Sequence, residues 1–172
     1  NKHGHSAKLQ DGVDGGGEPC GHTNDFITGR KPVPTPAGPE VLATRFTLAL
    51  ATGDLALNTV GQIGVLPAGH IPVDVHVDGT DMDSGAAALV FQVGILNTAE
   101  TDISTAAADG GANWGSTTAA NTAFHQRLTI NGTALVGVTS SADNRKLALK
   151  VATAPTAAVA GTVGVTLFYR AA

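Results

Sequence analysis

The chain has 172 residues and a mass of 17.2 kDa, a size that fits one domain with or without an arm and not two full cores. Charged residues make up 14% of it. Its 10 basic and 14 acidic residues give a net charge of −4. This charge argues against a nucleic-acid-binding protein, because such proteins bind phosphates through a surface rich in Lys and Arg. One cysteine excludes an internal disulfide framework. No apolar run reaches the roughly 20 residues that cross a bilayer, and the polar N-terminus does not resemble a signal peptide. We therefore expect a soluble protein of a reducing compartment, with neutral surface that other subunits cover.

Residues 1–40 differ in composition from the rest of the chain. Glycines dominate the first half, and Pro32, Pro34, Pro36 and Pro39 favour an extended, polyproline-like segment in the second. We interpret residues 1–40 as an arm and residues 41–172 as the folded domain. Two readings of the arm stay open: a disordered tail, or a strap that becomes ordered on a neighbouring molecule and has few contacts with its own domain. In the second reading Pro32, Pro34 and Pro36 are interface residues.

Residues 41–172 show the two-residue periodicity of β-strands. In VLATRFTLAL the large apolar residues alternate with small or polar ones, and in IPVDVHVDG valines alternate with Asp and His. Asn131-Gly132 between two apolar runs indicates a hairpin turn. The eight candidate segments lie at 41–50, 59–69, 71–79, 86–96, 124–130, 133–139, 146–154 and 161–170. We predict an all-β fold, an antiparallel β-sandwich of the jelly-roll type with an extended N-terminal arm.

The same periodicity selects a core and leaves one long connection. The side chains that we expect inside are Phe46, Leu48, Val73, Val75, Val90, Phe91, Leu128, Leu147 and Phe168. Residues 98–109 are compatible with one or two helical turns capped by Thr98, and an irregular loop follows. That loop carries Trp114, the sole tryptophan. Trp114 either anchors an interface, since tryptophan is enriched in binding hot spots, or covers one open end of the sandwich.

An acidic cluster in VDVHVDGTDMDSG offers one candidate metal site. Asp78, Asp81 and Asp83, with glycines that allow tight turning, supply the oxygen ligands that Ca²⁺ prefers. The spacing is not that of an EF-hand, because no Glu stands at the twelfth position and no helix flanks the loop. A solvated turn between two strands accounts for the same residues.

The arm offers a second candidate metal site. His3, His5, Cys20 and His22 together provide three imidazoles and one thiolate, which is a sufficient ligand set for tetrahedral Zn²⁺. Zinc would also organise a segment that lacks an apolar core. The single residue between paired ligands is shorter than in ordinary structural sites, so polar residues dispersed along a flexible arm are the alternative. We assign no resident cofactor to the chain.

Catalytic motifs are sparse, and we expect no enzymatic activity. No serine lies in a G-x-S-x-G turn, and no phosphate-binding loop of the G-x-x-x-x-G-K-[ST] type occurs. Glu18, Glu40 and Glu100 are the three glutamates, which leaves few paired carboxylates for glycoside chemistry.

Two stretches carry a family resemblance. The run VGQIGVLPAGHIPVDVHVDGTDMDSGAAALVFQVGIL and the closing AGTVGVTLFYRAA resemble small structural proteins of tailed bacteriophages, a group that includes capsid decoration (cement) proteins, head fibres and other minor virion proteins. The resemblance covers roughly residues 41–172. It implies a virion structural protein without catalytic residues, made in the host cytoplasm. Such a protein binds the outside of an icosahedral capsid, where it stabilises the shell by bridging capsomers. The implied partners are the major capsid protein and two further copies of the chain in a homotrimer. An alternative function is a carbohydrate-binding or adhesive β-sandwich module, such as a head fibre, with Ca²⁺ at Asp78, Asp81 and Asp83.

Overall fold

The computed structural model describes residues 23–36 and 38–172, and the described residues form nine β-strands. In chain order β1 to β9 span Leu42–Leu50, Val60–Leu66, His70–Gly79, Val90–Ile95, Gly115–Ser116, Phe124–Arg127, Thr129–Ile130, Arg145–Thr153 and Gly161–Ala171. Two short 3-10 helices lie at Thr52–Leu55 and Ala107–Asp109. Among these residues, no helix has the length and apolar character needed to span a membrane.

The strands form two antiparallel sheets. Sheet A has the order β1-β9-β3-β6, and sheet B has the order β2-β8-β4-β5-β7. Four strand pairs are nested in sequence, as in a long hairpin that has been rolled up: β1 with β9, β2 with β8, β3 with β6 and β4 with β5. This nesting is the topology of a jelly roll, with β7 as a short addition. The predicted all-β sandwich is confirmed.

The core lies between the two sheets and contains most of the side chains that periodicity selects. Buried there are Phe46, Leu48, Val75, Phe91, Leu128 and Leu147, as predicted. Three other predictions are wrong. Val73 is 41% exposed, and Val90 and Phe168 are half-buried. Leu167 and Tyr169, on either side of Phe168, are the residues of β9 that face inward.

A β-bulge explains the exposure of Val73. Pro72 pairs with Tyr169 and Asp74 pairs with Phe168, so Val73 is the extra residue of β3. A bulge inverts the alternation of side chains at that point. As a result Pro72 points inward and Val73 outward, while Val75 and Val77 return to the core.

Two predicted elements take other conformations. Segment 133–139 is a series of turns, in which Ala134 N donates to Asn131 O and Gly137 N donates to Thr133 O. Its apolar residues still reach the core, because one face of these turns is buried: Ala134, Leu135 and Val138. Helical structure in the range 98–109 is limited to the 3-10 helix Ala107–Asp109 at its end, and no helix begins at Thr98. There the Asn97 Oδ1 accepts the amide N–H groups of Thr101 and Asp102 and closes a tight turn.

Candidate functional site

The connection between β4 and β5 covers the outer face of sheet B. Leu96 and Ile103 of this connection pack on Val60 and Ala148 in a second hydrophobic cluster. Ile103 lies directly on Gly94, where an added Cβ would be 2.6 Å from the Ile103 Cγ2.

Ion pairs fasten the same connection to β8. Lys150 Nζ bonds Asp102 Oδ1 at 2.8 Å, and this hydrogen bond lowers the pKa of Asp102. Lys146 pairs with Glu100. Sheet B is therefore covered on both faces, by sheet A and by its own chain.

The outer face of sheet A carries exposed side chains instead, and we call it the open face. Arg45 and Arg127 have side chains that are 50% and 68% exposed. The open face consists of the outward side chains of four strands: Arg45, Asp74, His76, Asp78, His125, Arg127, Thr166 and Phe168. It brings ionisable and aromatic groups from four strands together on one exposed surface.

One ion pair crosses the open face between strands that are not neighbours. Arg45 on β1 bonds Asp78 on β3 with both Nε and Nη2, and the Nε–Oδ1 distance is 2.9 Å. The strand between them is β9, and Gly164 lies under the pair. The bond to Asp78 raises the pKa of Arg45. A bidentate pair of this kind holds both side chains against the sheet.

His76 lies at the centre of a second group on the open face. Its ring centroid is 5.1 Å from the ring of Phe168 and 5.5 Å from the ring of His125. Its Nε2 is 3.6 Å from Asp74 Oδ2, and Asp74 accepts the Arg127 Nε at 2.8 Å. Two imidazoles, a carboxylate and an aromatic ring are thus adjacent at the surface.

At one end of the sandwich, the loops after β3 and β8 meet around Asp83. This carboxylate is fully buried and accepts the N–H groups of Gly85, Ala88, Thr156 and Ala157 and the hydroxyl of Thr156, at 2.9 to 3.2 Å. Burial alone would raise the pKa of Asp83, but these donors outweigh burial and hold it well below its usual range. Asp83 thus joins two loops that are more than seventy positions apart in sequence.

The predicted Ca²⁺ site at Asp78, Asp81 and Asp83 is not assembled. Asp78 is paired with Arg45, Asp83 is surrounded by donors, and the exposed Asp81 accepts the Asp83 N–H at 3.2 Å. In residues 23–36 and 38–172, no group of three or more His, Cys, Asp and Glu side chains is placed to hold a metal ion. The zinc ligands predicted in the arm, His3, His5, Cys20 and His22, lie outside the described residues.

Residues 23–36, which we call the strap, close the gap between the two sheets. The Asn24 Nδ2 donates to Thr47 O on β1 at 3.1 Å and to Ile63 O on β2 at 2.7 Å. β1 and β2 are edge strands of opposite sheets, and Ile63 is the bulged residue of β2. Phe26 packs edge-on against the buried ring of Phe46, with centroids 4.8 Å apart. The strap therefore satisfies backbone carbonyls at an otherwise open sheet edge.

The proline-containing half of the strap also binds its own sandwich. The buried Tyr169 hydroxyl donates to Pro34 O at 2.5 Å, and it can therefore only accept from Thr44 Oγ1 at 2.9 Å. Pro36 is buried, and a His70 ring nitrogen lies 3.2 Å from its carbonyl oxygen. The expectation that the arm has few contacts with its own domain is wrong for these residues. Interface roles for Pro32, Pro34 and Pro36 stay predictions.

Trp114 belongs to the core. It has no exposed surface, and its Nε1 donates to Asp109 O at 2.9 Å. Its position, between β4 and the turns of segment 131–138, closes the sandwich from within. The prediction of Trp114 as an interface residue is wrong, because no part of the ring reaches the surface of the described chain.

The groups of the open face were visible in sequence only as a polar alternation along β3. Asp74, His76 and Asp78 occupy every second position of that strand. Their partners Arg45, His125 and Arg127 come from distant segments, and the register of β9 and β6 against β3 brings them together.

Comparison with solved structures gives likenesses to chains of phage capsids. A chain from the "Capsid of Ralstonia phage GP4" superposes with a TM-score of 0.65 at 25% identity, over 86% of this chain and 96% of that one. A chain of the cyanophage Pam1 capsid has a TM-score of 0.46 and 16% identity, over 97% of this chain and 98% of that one. A chain of the Helicobacter pylori bacteriophage KHP30 capsid has a TM-score of 0.36 and 15% identity, over 75% of this chain and 91% of that one. No protein-family model and no curated protein matches the sequence. The likeness to the Ralstonia phage chain supports a capsid-related, virion structural role, which is the coarser part of what the resemblance implied.

Proposed function

We propose that this protein is a decoration protein of a tailed-phage capsid. In this role it binds the outside of the icosahedral shell, contacts the major capsid protein and stabilises the shell by bridging capsomers. The observation that carries the proposal is the match to the Ralstonia phage chain, which spans nearly the whole of both proteins. A chain from a phage capsid thus consists of this same jelly roll and has about the same length.

The surface of the described residues suits a protein that works through contacts. The charges of the open face are already paired with each other, so a partner covering them meets no unpaired charge. Around Asp83, the exposed loop residues include the small and uncharged Ala86, Ala87, Ala157 and Ala158, beside the charged Asp81. Contacts of this kind are weak singly and strong when many copies repeat them on one shell. No catalytic step is part of this role.

A homotrimer is the assembly that we infer for this role, because a trimer matches the local three-fold axes at which capsomers meet. The carbohydrate-binding alternative is less well supported. A sugar platform needs exposed aromatic rings, whereas Trp114 and Tyr169 are both fully buried. The calcium ligands of that alternative also have other partners, since Asp78 is paired with Arg45 and Asp83 accepts N–H groups of the loops.

Labelling of intact particles tests the placement. Purified virions are treated with a membrane-impermeant amine reagent before and after the shell is opened, and the modified lysines are found by mass spectrometry. Lys31 is exposed and Lys146 has a 48% exposed side chain, so both report on access to the surface. We expect a high copy number per particle and labelling of this chain in the intact shell. Its absence from virions, or labelling only after opening, would contradict the proposal.

The oligomeric state needs a separate measurement. Sedimentation velocity of the free protein, and copy counting on decorated particles, should show trimers in at least one of these two states. A protein that is monomeric both free and on particles would contradict the inferred trimer but not the capsid role.

A further inference from the structure

The open face places two histidines from adjacent strands side by side. His76 is on β3 and His125 on β6, where the register pairs His76 with Arg127 and Asp78 with His125. The two histidines are thus diagonal neighbours on the same face of sheet A, and their ring centroids are 5.5 Å apart with an interplanar angle of 53°.

This separation matches two imidazoles that share one metal ion. A bond from an imidazole nitrogen to Zn²⁺ is about 2.0–2.1 Å long, which puts each ring centroid about 3.2 Å from the metal. At a tetrahedral angle, two such rings have centroids about 5.2 Å apart. The observed separation of 5.5 Å is close to this value.

Neighbouring side chains orient His76 for such a bond. Its Nε2 is 3.6 Å from Asp74 Oδ2, and Arg127 fixes Asp74 through contacts of 2.8 and 3.0 Å. The contact between Nε2 and Asp74 is longer than a hydrogen bond, so it places a negative charge beside the His76 ring without fixing its tautomer. Phe168 packs on the same ring and limits its rotation. Since Nε2 lies beside the carboxylate, Nδ1 is the nitrogen of His76 that we assign to the ion.

His125 is available on the other side. Its side chain is exposed, and no group in residues 23–36 and 38–172 hydrogen-bonds its ring. The charges that face the pair are balanced, because Arg45 is engaged by Asp78 and Arg127 by Asp74. A divalent cation therefore meets two free imidazole nitrogens and no unpaired positive charge.

We propose that His76 and His125 form a binding site for a divalent transition-metal ion, with two imidazole ligands from the protein and water in the remaining positions. The chemistry selects Zn²⁺, Ni²⁺ or Cu²⁺ over Mg²⁺ and Ca²⁺, because imidazole suits the former and oxygen ligands the latter. This site is independent of the capsid role and of the zinc ligands predicted in the arm.

Titration of the full chain with NiCl₂, followed by ¹H–¹⁵N NMR, tests the site. Paramagnetic broadening locates the ion, so binding at the arm is told apart from binding at the open face. A background with His3→Ala, His5→Ala, Cys20→Ser and His22→Ala removes the arm as a competitor. In that background we expect selective broadening around residues 76 and 125, and we expect His125→Ala to weaken binding about tenfold or more.

Two further variants test whether the surroundings of the two histidines contribute to metal binding. Asp74→Asn keeps both imidazoles but removes the carboxylate behind His76, and we expect about tenfold weaker binding. His125→Gln checks that any loss does not come from a packing defect, with circular dichroism as the test of folding. Equal Ni²⁺ affinity in the His125 variants and the parent, or broadening elsewhere on the domain, or no binding at all, would overturn the proposal.

Discussion

Arg45 and Asp78 bond to each other across Gly164, although an entire strand separates them. The glycine makes this possible. A Cβ on Gly164 would be 2.5 Å from Arg45 Nη2 and 2.6 Å from Asp78 Oδ1. The absence of one side chain in β9 thus lets β1 and β3 interact directly over the surface of sheet A.

Gly164→Ala should therefore destabilise the protein by up to about 1 kcal/mol, since exposed pairs contribute little more than that. In an Arg45→Ala background the same change should be neutral or stabilising, because alanine is favoured over glycine in a strand by roughly 0.5–1 kcal/mol. Urea unfolding of the four proteins measures both effects. The same sign in both backgrounds would show that the ion pair does not depend on Gly164.

Gly64 has a similar constraint within the core. An added Cβ would lie 2.5 Å from two ring atoms of Phe46, which is fully buried. We expect Gly64→Ala to destabilise the fold by about 1–3 kcal/mol, the usual range for overpacking. Gly53→Ala is the matched control, since nothing lies within 4 Å of its Cβ position. Phe46→Leu should recover part of the loss in a thermal melt, and an additive double variant would argue against the clash.

The strap depends on Asn24, whose side-chain nitrogen joins the two sheets while its oxygen accepts the N–H groups of Phe26 and Ile27. Asn24→Ala should cost about 1–2 kcal/mol and release the strap. Release is read out as faster tryptic cleavage after Arg30, which is exposed. Thr28→Ala is the control, because the exposed Thr28 hydroxyl bonds carbonyls within the strap and none in the two described sheets. Unchanged cleavage in Asn24→Ala would mean that Phe26 and Tyr169 hold the strap without it.

The lowered pKa of Asp83 predicts that the free energy of unfolding depends on pH. Its pKa is held below the usual value of about 4, so the ionised form stabilises the fold above that pH. The contribution is lost as the pH falls below about 4 toward the folded-state pKa. Asp83→Asn removes the charge and turns an amide donor toward N–H groups, so we expect a much lower melting temperature at pH 7.

Melting curves at pH 7 and pH 3 check this expectation. The difference between the parent and Asp83→Asn should narrow at the lower pH, because the parent loses its advantage there. Asp81→Asn is the control, since the exposed Asp81 accepts one bond, from the Asp83 N–H. A constant difference at both pH values would show that ionisation of Asp83 is not what stabilises the two loops.

Local alternation was enough to predict β1, because Phe46 and Leu48 face the core and Arg45 faces outward along an uninterrupted strand. It failed at Val73, where β3 has a bulge against β9. Pro72, which has no N–H to donate to a neighbouring strand, is the local signal of that bulge. Alternation was misapplied at Phe168, which is the one large apolar residue on the outer face of β9, since the alternation of Val163, Val165 and Leu167 places Tyr169 inside. Alternation therefore identifies the inward face of an uninterrupted strand, and it fails where pairing with another strand introduces a bulge.

The candidate site shows the same division. The polar positions of β3 were readable, but the partners Arg45, His125 and Arg127 follow from strand order. Trp114 was ambiguous for a related reason: a lone tryptophan in a loop is buried or exposed according to what packs over it, and here the turns of segment 131–138 do so.

The central position of β9 in sheet A has a consequence for biosynthesis. β9 is translated after every other strand of the fold, yet it alone connects β1 to β3. A nascent chain that lacks β9 has β1 without a partner strand, and the partner of β1 is more than a hundred residues away. Sheet A therefore cannot assemble on the ribosome in the order of synthesis. Folding must wait for the C-terminal strand and then proceed through contacts of long sequence separation, which are slow to form.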